Sequence, residues 1–564
     1  MSAAVIGILG LAAMFLGYRF YSKFIAERIY RLDPSFGVPS HSMRDGVDYV
    51  PTHRVVLWGH HFTAVAGAAP IIGPGIAVIW GWLPAFLWVV VGTVFFAGVH
   101  DFGAIWASVR NRGKSIGALT GDVVGQRARN LFMLVIFLLL LMVNAVFADA
   151  IADALQASPP SVIPAWSAVA VALVIGLLLY RAHVPILWPT VVGTVILYAV
   201  IYVGDRVPIV LPAEVLGLSA GAQWILILFL YAAIASLLPV WLLLQPRDYI
   251  NGIQLFIGLG LLYGAVLLAR PTIVAPAFNF DTPANTPPIA PLLFVTIACG
   301  AVSGFHGLVG SGTTSKQLDK ETDARFVGYL GSLGEGALAL MAILAATAGF
   351  QTREDWDGLY QSFGGGGIEA FVTGGANIVN AGTGLSTEFA ATLLTVMAVL
   401  FAGTTMDAGV RLQRYIVQEW GAIYDLAPLK NGYVATFLAV GSCLVLAFGA
   451  GGASGTGGMI LWPLFGTTNQ LLAGLTLLVI SVILVKLGRP SRYTMTPMIF
   501  VTGMALLSAL YQLWDLYRAG NYLLLAIDLL IVLAAIWVML EAASALARER
   551  RVRNLSRSVS PAQG

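Results

Sequence analysis

The sequence has few charged residues and almost no cysteine. Only 10% of its 564 residues are charged, while 58% are hydrophobic, a balance far outside that of soluble globular domains. The two cysteines, Cys299 and Cys443, each lie in an apolar run, so the sequence predicts neither a disulfide nor a cysteine-based metal site. These scarcities exclude a soluble protein and a disulfide-stabilised secreted domain.

The signature of zinc proteases, H-E-x-x-H, is also missing from the sequence. The stretch GLVGSGTTSK, residues 307–316, imitates a phosphate-binding loop but has threonine where the loop lysine must stand. We therefore expect no enzyme activity and no cofactor.

What the chain does contain is a series of apolar runs of about 20 residues, the length needed to cross a ~30 Å hydrocarbon core. The runs predict an all-α polytopic membrane protein with about fifteen transmembrane helices. We place these at 2–21, 56–80, 84–107, 130–153, 162–180, 185–203, 222–244, 251–269, 291–311, 326–349, 387–409, 434–450, 457–486, 497–516 and 521–546.

The basic residues orient these helices. With the N-terminus outside and the C-terminus cytoplasmic, nearly all of the 31 Lys and Arg residues fall in cytoplasmic segments, as the positive-inside rule requires. The exceptions in outer loops are Arg206, Arg270, Arg353 and Arg518. The Gly-rich segment Gly364–Gly384 would reverse every later loop if it crossed, so we predict a re-entrant or surface-lying element on the outer side.

Two of the predicted helices share an unusual pattern. Gly-x-His-x5-Gly occurs as Gly59, His61 and Gly67 in the second helix, and as Gly304, His306 and Gly312 in the ninth. These two helices are predicted to cross the membrane in opposite directions. Glycine and proline weaken helices, so we expect each of the two to be interrupted. Paired interruptions of this kind in corresponding positions indicate a transporter binding site at the interface of inverted repeats.

An interrupted helix frees N–H groups at one half-helix and carbonyl groups at the other, so the gap can hold a carboxylate and a cation. The substrate site is accordingly predicted at Gly67 and over Gly304–Gly312, including Gly310, Ser311 and Gly312, with His61 and His306 as contacts or proton carriers. An alternative stays open, in which the glycines only permit close helix packing.

Other polar residues at membrane depth are few. His100 and Asp101 in the third helix and Glu335 in the tenth suggest a proton relay, because ionisable groups in a membrane face a cavity or each other. Thr404, Thr405 and Asp407 at the end of the eleventh helix suggest an oxygen-lined cation site. Equally open is the alternative in which the threonine hydroxyls donate hydrogen bonds to carbonyl groups of their own helix.

Several long stretches resemble the carbon starvation protein A family of bacterial inner-membrane transporters over about residues 50–490. They are VLWGHHFTAVAGAAPIIGP, AGVHDFGAIWASVRNRGKSIG, ACGAVSGFHGLVGSGTTSKQLDKETDARFVGYLGSLGEGALAL, GTTMDAGVRLQRY and GTGGMILWPLFGTTNQLLAG. The resemblance implies uptake of pyruvate or short peptides during carbon starvation, with proton coupling in the pyruvate members.

The family is in turn similar to the amino-acid/polyamine/cation superfamily, which implies a LeuT-type core of five plus five inverted helices with two discontinuous ones. Thr404 and Thr405 fall where sodium-coupled relatives keep a hydroxyl pair, so Na⁺ is the alternative to H⁺ as coupling ion. The organisation expected from this resemblance is an N-terminal helix and loop (1–55), a transporter core (56–490), accessory helices (491–546) and a basic cytoplasmic tail (547–564).

Two other functions remain as alternatives. One is a membrane hydrolase with His60, His61 and Asp101 around a metal, and the other is a nutrient sensor with a transporter-like core. The expected partners are a small-molecule substrate and the lipid bilayer, without nucleic acid, and the sequence leaves the oligomeric state open.

Overall fold

The computed structural model describes residues 1–559 except 47, 186, 240, 285 and 452–456. Residues 560–564, the end of the predicted tail, therefore lie outside the described residues. The α-helices are α1 (Ala3–Leu16), α2 (Pro39–Ser42), α3 (Arg54–Val65), α4 (Ala69–Ala77), α5 (Trp82–Gly92), α6 (Gly98–Arg110), α7 (Ile116–Val123), α8 (Gln126–Ala157), α9 (Val162–Tyr180), α10 (Leu187–Arg206), α11 (Ala220–Leu237), α12 (Leu244–Ala269), α13 (Ile289–Thr296), α14 (Gly304–Gly312), α15 (Leu330–Ala348), α16 (Arg353–Leu359), α17 (Gly367–Thr383), α18 (Thr387–Ile423), α19 (Ala427–Lys430), α20 (Gly432–Gly451), α21 (Gly458–Lys486), α22 (Arg492–Arg518) and α23 (Tyr522–Val559).

Short helical segments of other types continue or join several of these helices. They are π-helical at Gly17–Ser22, Ile25–Tyr30, Thr93–Ala97 and Arg325–Tyr329, and 3₁₀-helical at Val78–Trp80, Pro159–Ser161 and Thr314–Lys316. Strands β1 (Glu214–Val215) and β2 (Leu218–Ser219) form an antiparallel hairpin with Glu214 opposite Ser219.

The helical architecture follows from the lipid surroundings of the chain. A lipid core offers no hydrogen bonds to the backbone, so each crossing segment must satisfy its own N–H and C=O groups. Within the described residues, 13 helices are long and apolar enough to cross a membrane, or 14 if the bent pair α3 and α4 is one span. The prediction of a polytopic, all-α membrane protein is confirmed.

The first predicted interruption is present. α3 ends at Val65 and α4 begins at Ala69, and the two axes differ by 49°. Pro70 lies in the first turn of α4, where a missing N–H costs nothing, while Pro74 lies inside α4 without ending it. The break therefore falls at residues 66–68, around Gly67.

The second interruption is wider than the sequence indicates. The predicted span 291–311 is divided into α13 and α14, and residues 297–303 between them are not helical. Gly300 has φ +91°, a left-handed conformation that favours glycine. Neither half is long enough to cross alone, which agrees with the prediction that this helix is discontinuous.

Gly364–Gly384 forms α17, which packs across the ends of other helices. Glycines along α17 approach the C-terminal ends of three of them: Gly367 approaches Gly75 of α4, Gly374 approaches Ala345 of α15, and Gly382 approaches Ala265 of α12. At these three contacts, α17 packs near the ends of its neighbours. This placement agrees with the predicted surface-lying element, whereas the inverted repeat and the division into domains stay predictions.

The orientation of α17 can be tested by labelling single cysteines. Ser362 and Leu385 are exposed and flank α17, so Ser362→Cys and Leu385→Cys should both react with a membrane-impermeant maleimide added to one side of sealed vesicles. Cys299 and Cys443 are buried and provide a low background. Labelling of the two positions from opposite sides would mean that α17 crosses the membrane.

Candidate functional site

An aspartate at the centre of the bundle gathers three polar partners. Asp101 of α6 accepts a hydrogen bond of 2.5 Å from the Ser332 hydroxyl. Its Oδ1 lies 2.7 Å from Nδ1 of His100, and its Oδ2 lies 2.8 Å from Nδ1 of His306. All four side chains are buried. Asp101 is thus a buried carboxylate whose hydrogen-bond partners are protein side chains instead of water.

His306 has a second carboxylate on its other side. Its Nε2 lies 3.2 Å from Oε1 of Glu335 on α15, and both side chains are buried. One imidazole therefore stands between two acids contributed by two different helices. A movement of α14 against α6 or α15 would change the partners of this imidazole.

The non-helical segment 297–303 is held by a side chain from α21. Asn469 accepts a 3.0 Å hydrogen bond from the backbone N–H of Phe305, at the start of α14. Its amide nitrogen donates to the Ser303 hydroxyl (3.0 Å) and to the Cys299 sulfur (3.2 Å). Asn469 replaces the partners that the missing helical turns would have supplied.

The two adjacent histidines of α3 face different surroundings. His61 Nδ1 lies 2.9 Å from the Thr314 hydroxyl, just beyond α14. His60 Nδ1 lies 3.4 Å from a carboxylate oxygen of Asp248 on α12. Consecutive residues on a helix point about 100° apart, which is why one histidine faces the interrupted helix and the other faces α12.

Gly67 and the two threonines meet at the first break. A Cβ at Gly67 would collide with the Thr405 hydroxyl, so the glycine is required for this approach. The hydroxyls of Thr404 and Thr405 each donate to the carbonyl four residues earlier, at 2.8 and 3.2 Å, as the back-bonding alternative expects. The Thr404 hydroxyl also accepts from Asn251 of α12 at 2.9 Å.

Asp407 is paired with an arginine that the sequence analysis assigns to a cytoplasmic loop. The guanidinium of Arg247 donates to Asp407, and the Tyr231 hydroxyl donates to the same oxygen at 2.8 Å. Arg247 lies in the first turn of α12 and is 2% exposed, so the predicted start of this helix at residue 251 is too late. Pro246 precedes it in the same turn, a position that proline fits.

The remaining predicted site residues lie at the two ends of α14. Gly304 begins α14 beside His306, whereas Gly310, Ser311 and Gly312 are at its other end. The Ser311 hydroxyl donates to the Gly307 carbonyl and accepts from the Ile116 N–H at the start of α7. The structure thus brings Gly304 and His306 to the break and attaches the Gly310–Gly312 end to α7.

One group of side chains has the spacing of a metal site. Ligand atoms of Cys299, His306 and Glu335 lie within 4.8 Å of one another, and all three residues are buried. The set that the hydrolase alternative requires is different. His60 faces Asp248, His61 faces Thr314, and Asp101 binds His100 and His306. The three residues of that set therefore have different partners.

Comparison with known proteins agrees with the resemblance seen in the motifs. The sequence model of the family described as carbon starvation protein CstA matches residues 2–353 and 361–508. A protein of Campylobacter jejuni named peptide transporter CstA is 32% identical over 92% of this chain and 82% of its own length. The pyruvate/proton symporter BtsT of Escherichia coli is 31% identical over 87% and 78%.

A solved structure shares the fold at low sequence identity. The crystal structure of a manganese transporter mutant from Eremococcus coleocola covers 89% of this chain and 98% of that protein, with a TM-score of 0.50 and 13% identity. At this identity the similarity concerns the fold alone.

The role of Asn469 can be measured as stability. Asn469→Ala leaves the buried N–H of Phe305 without its acceptor, which costs about 1–3 kcal/mol, so the purified protein should unfold at a lower temperature. Thr468→Val is the matched control, because the neighbouring Thr468 hydroxyl donates only within its own helix. Equal melting temperatures for the two variants would show that Asn469 does not hold the segment.

Proposed function

We propose that this chain, which belongs to the carbon starvation protein CstA family, is a secondary active transporter that imports a small carboxylate nutrient by proton-coupled symport. Relatives named peptide transporter and pyruvate/proton symporter support a transport function and these two substrate classes. The proposed location is the bacterial inner membrane, with the N-terminus outside and the C-terminus cytoplasmic, following the distribution of basic residues.

The observation that carries the proposal is the position of His306 between Asp101 and Glu335 at the start of α14. A proton on this imidazole is stabilised by both acids, and its loss leaves two carboxylates facing an uncharged ring in a buried site. The arrangement of α14 against α6 and α15 therefore depends on protonation. Such dependence is what couples a proton gradient to alternating access.

The substrate is proposed to bind where the two interrupted helices begin again. α4 and α14 each start inside the bundle, and the N-terminal end of a helix carries a partial positive charge that favours a carboxylate. His61 contacts Thr314, which lies just beyond the C-terminal end of α14. The predicted roles of His61, Gly67, Gly304 and His306 in substrate binding thus remain part of the proposal.

Sodium coupling is the second candidate, and the contact at the first break favours it. The Thr405 hydroxyl lies against Gly67, so a threonine oxygen stands at the first break. Oxygen ligands of this kind suit a small hard cation. Separate proton and sodium gradients distinguish the two couplings.

A single substitution tests the proposed proton site. In proteoliposomes with an imposed pH gradient and no sodium gradient, the wild type should accumulate labelled pyruvate or a labelled dipeptide. His306→Ala should abolish that accumulation while leaving membrane insertion intact, because both acids lose their shared partner. His183→Ala removes an exposed histidine and should transport as the wild type does.

Each result has a separate meaning. Wild-type accumulation by His306→Ala would overturn the proton site. Accumulation driven only by a sodium gradient would replace proton coupling by sodium coupling. Failure of both solutes under both gradients would overturn the transport proposal for these substrates.

A further inference from the structure

A cysteine in the wider interruption lies beside two other side chains that can bind a metal. Cys299 is in the non-helical segment 297–303, His306 is in the first turn of α14, and Glu335 is in α15. One ligand atom of each lies within 4.8 Å of the other two, and all three residues are buried. Sulfur, imidazole nitrogen and carboxylate oxygen are the ligand atoms that zinc takes in proteins. An isolated cysteine in an apolar run gives no sign of this set, because Glu335 comes from another helix.

The contact between His306 and Glu335 requires a positive charge. Nδ1 of His306 lies 2.8 Å from a carboxylate oxygen of Asp101, so this nitrogen carries a proton. In the neutral ring, Nε2 is then an acceptor, and it faces another acceptor, Oε1 of Glu335, at 3.2 Å. Apart from each other, these two groups have no side-chain hydrogen-bond partner within the described residues. Either a proton on Nε2 or a metal ion relieves the contact between the two acceptors.

The sulfur of Cys299 distinguishes these two occupants. A proton held between an imidazole and a carboxylate gains little from the sulfur, because a thiol is a weak hydrogen-bonding group. A zinc ion gains a strong ligand, because a thiolate binds it directly. Zinc keeps its ligand atoms at about 2.0–2.3 Å, so the three atoms close around an ion by moving together by about 1 Å. The position of Cys299 therefore favours a metal ion as a second occupant.

The neighbours of the set resemble the usual surroundings of zinc ligands. A histidine that binds zinc commonly donates its other ring N–H to a carboxylate, and His306 has Asp101 in that position. The Ser332 hydroxyl in turn donates to Asp101. Asn469 donates to the Cys299 sulfur at 3.2 Å, and a hydrogen bond of this kind stabilises a thiolate. Two of the three ligands are thus oriented by α6 and α21, which lie outside the set.

We propose that Cys299, His306 and Glu335 form a binding site for a thiophilic divalent cation such as Zn²⁺, and that this cation replaces the proton on Nε2 of His306. Binding releases the thiol proton of Cys299 and any proton on Nε2, while the contact of Nδ1 with Asp101 stays. The ion joins the segment 297–303 and α14 to α15, so it holds the interruption in one arrangement. The inference concerns regulation of the proposed proton site and rests on the proposed function only for its effect on transport.

Cobalt absorption by the purified full-length protein tests the site without requiring transport. Co²⁺ substitutes for zinc, and a thiolate bound to it adds a charge-transfer band in the near ultraviolet. We expect Co²⁺ to produce this band and Zn²⁺ to remove it. Cys299→Ser should lose the band and bind Zn²⁺ at least about tenfold more weakly, because a ligand is lost. Cys443→Ser is the matched control and should keep both properties, because Cys443 contacts Gln413 and Asn144 instead.

The number of cysteines makes the assignment of the band unambiguous. The chain has only two, so a band that survives in Cys443→Ser belongs to Cys299 even if Cys299→Ser fails to fold. Absence of the band in the wild type would overturn the site. Its persistence in folded Cys299→Ser, or its loss in folded Cys443→Ser, would do the same.

Zinc in the transport assay tests its competition with the proton. In proteoliposomes with an imposed pH gradient, Zn²⁺ should slow uptake by the wild type and by Cys443→Ser to the same extent. Cys299→Ser should keep a larger fraction of its own zinc-free rate. Wild-type uptake that Zn²⁺ leaves unchanged would overturn the replacement of the proton.

The two measurements separate this inference from the proposed function. A cobalt band that depends on Cys299, in a protein that accumulates neither solute under any gradient, would support the metal site and overturn the transport proposal. Accumulation driven by the pH gradient in a protein without the band would overturn the metal site and leave the transport proposal standing.

Discussion

A helix that is interrupted inside a membrane leaves backbone N–H and C=O groups without water to satisfy them, and this structure is organised around two such interruptions. At the wider one, a side chain replaces the missing turn, because Asn469 accepts from Phe305 and donates to Ser303. The Thr93 hydroxyl donates to the Gly300 carbonyl within the same segment. Fixed protein partners thus replace solvent, and the gap becomes a position where a ligand or a charged side chain can be accommodated.

The charges buried near the interruptions form two networks that begin at adjacent residues. His61 points to Thr314 beside α14, near the set of Asp101, His306 and Glu335. His60 points to Asp248, which lies beside Arg247 and its partner Asp407. Because burying an unpaired charge is expensive, each ionisable group in these networks constrains its neighbours. Two buried ionic networks therefore occupy one bundle while remaining attached largely to different helices.

Much of the site could be predicted from residue pattern. Glycine and proline spacing located both interruptions, and the rarity of ionisable residues at membrane depth drew attention to His306, Asp101 and Asp407. The partners of these residues could not be predicted in the same way. Asn469 lies far from Phe305 along the chain, and nothing local to Arg247 indicates that it faces Asp407 on α18. Contacts between distant segments have no local signature in a single sequence.

The sequence by itself determined the class of protein, the two breaks and the family, because hydropathy and helix-breaking residues act locally along the chain. Only the tertiary structure decided which polar groups meet. Arg247 illustrates the difference, since the sequence places it between two predicted helices, yet packing of α12 against α18 buries it beside Asp407 and Tyr231. Whether a charge lies in water or in an ion pair depends on what surrounds it in space, and packing alone sets those surroundings.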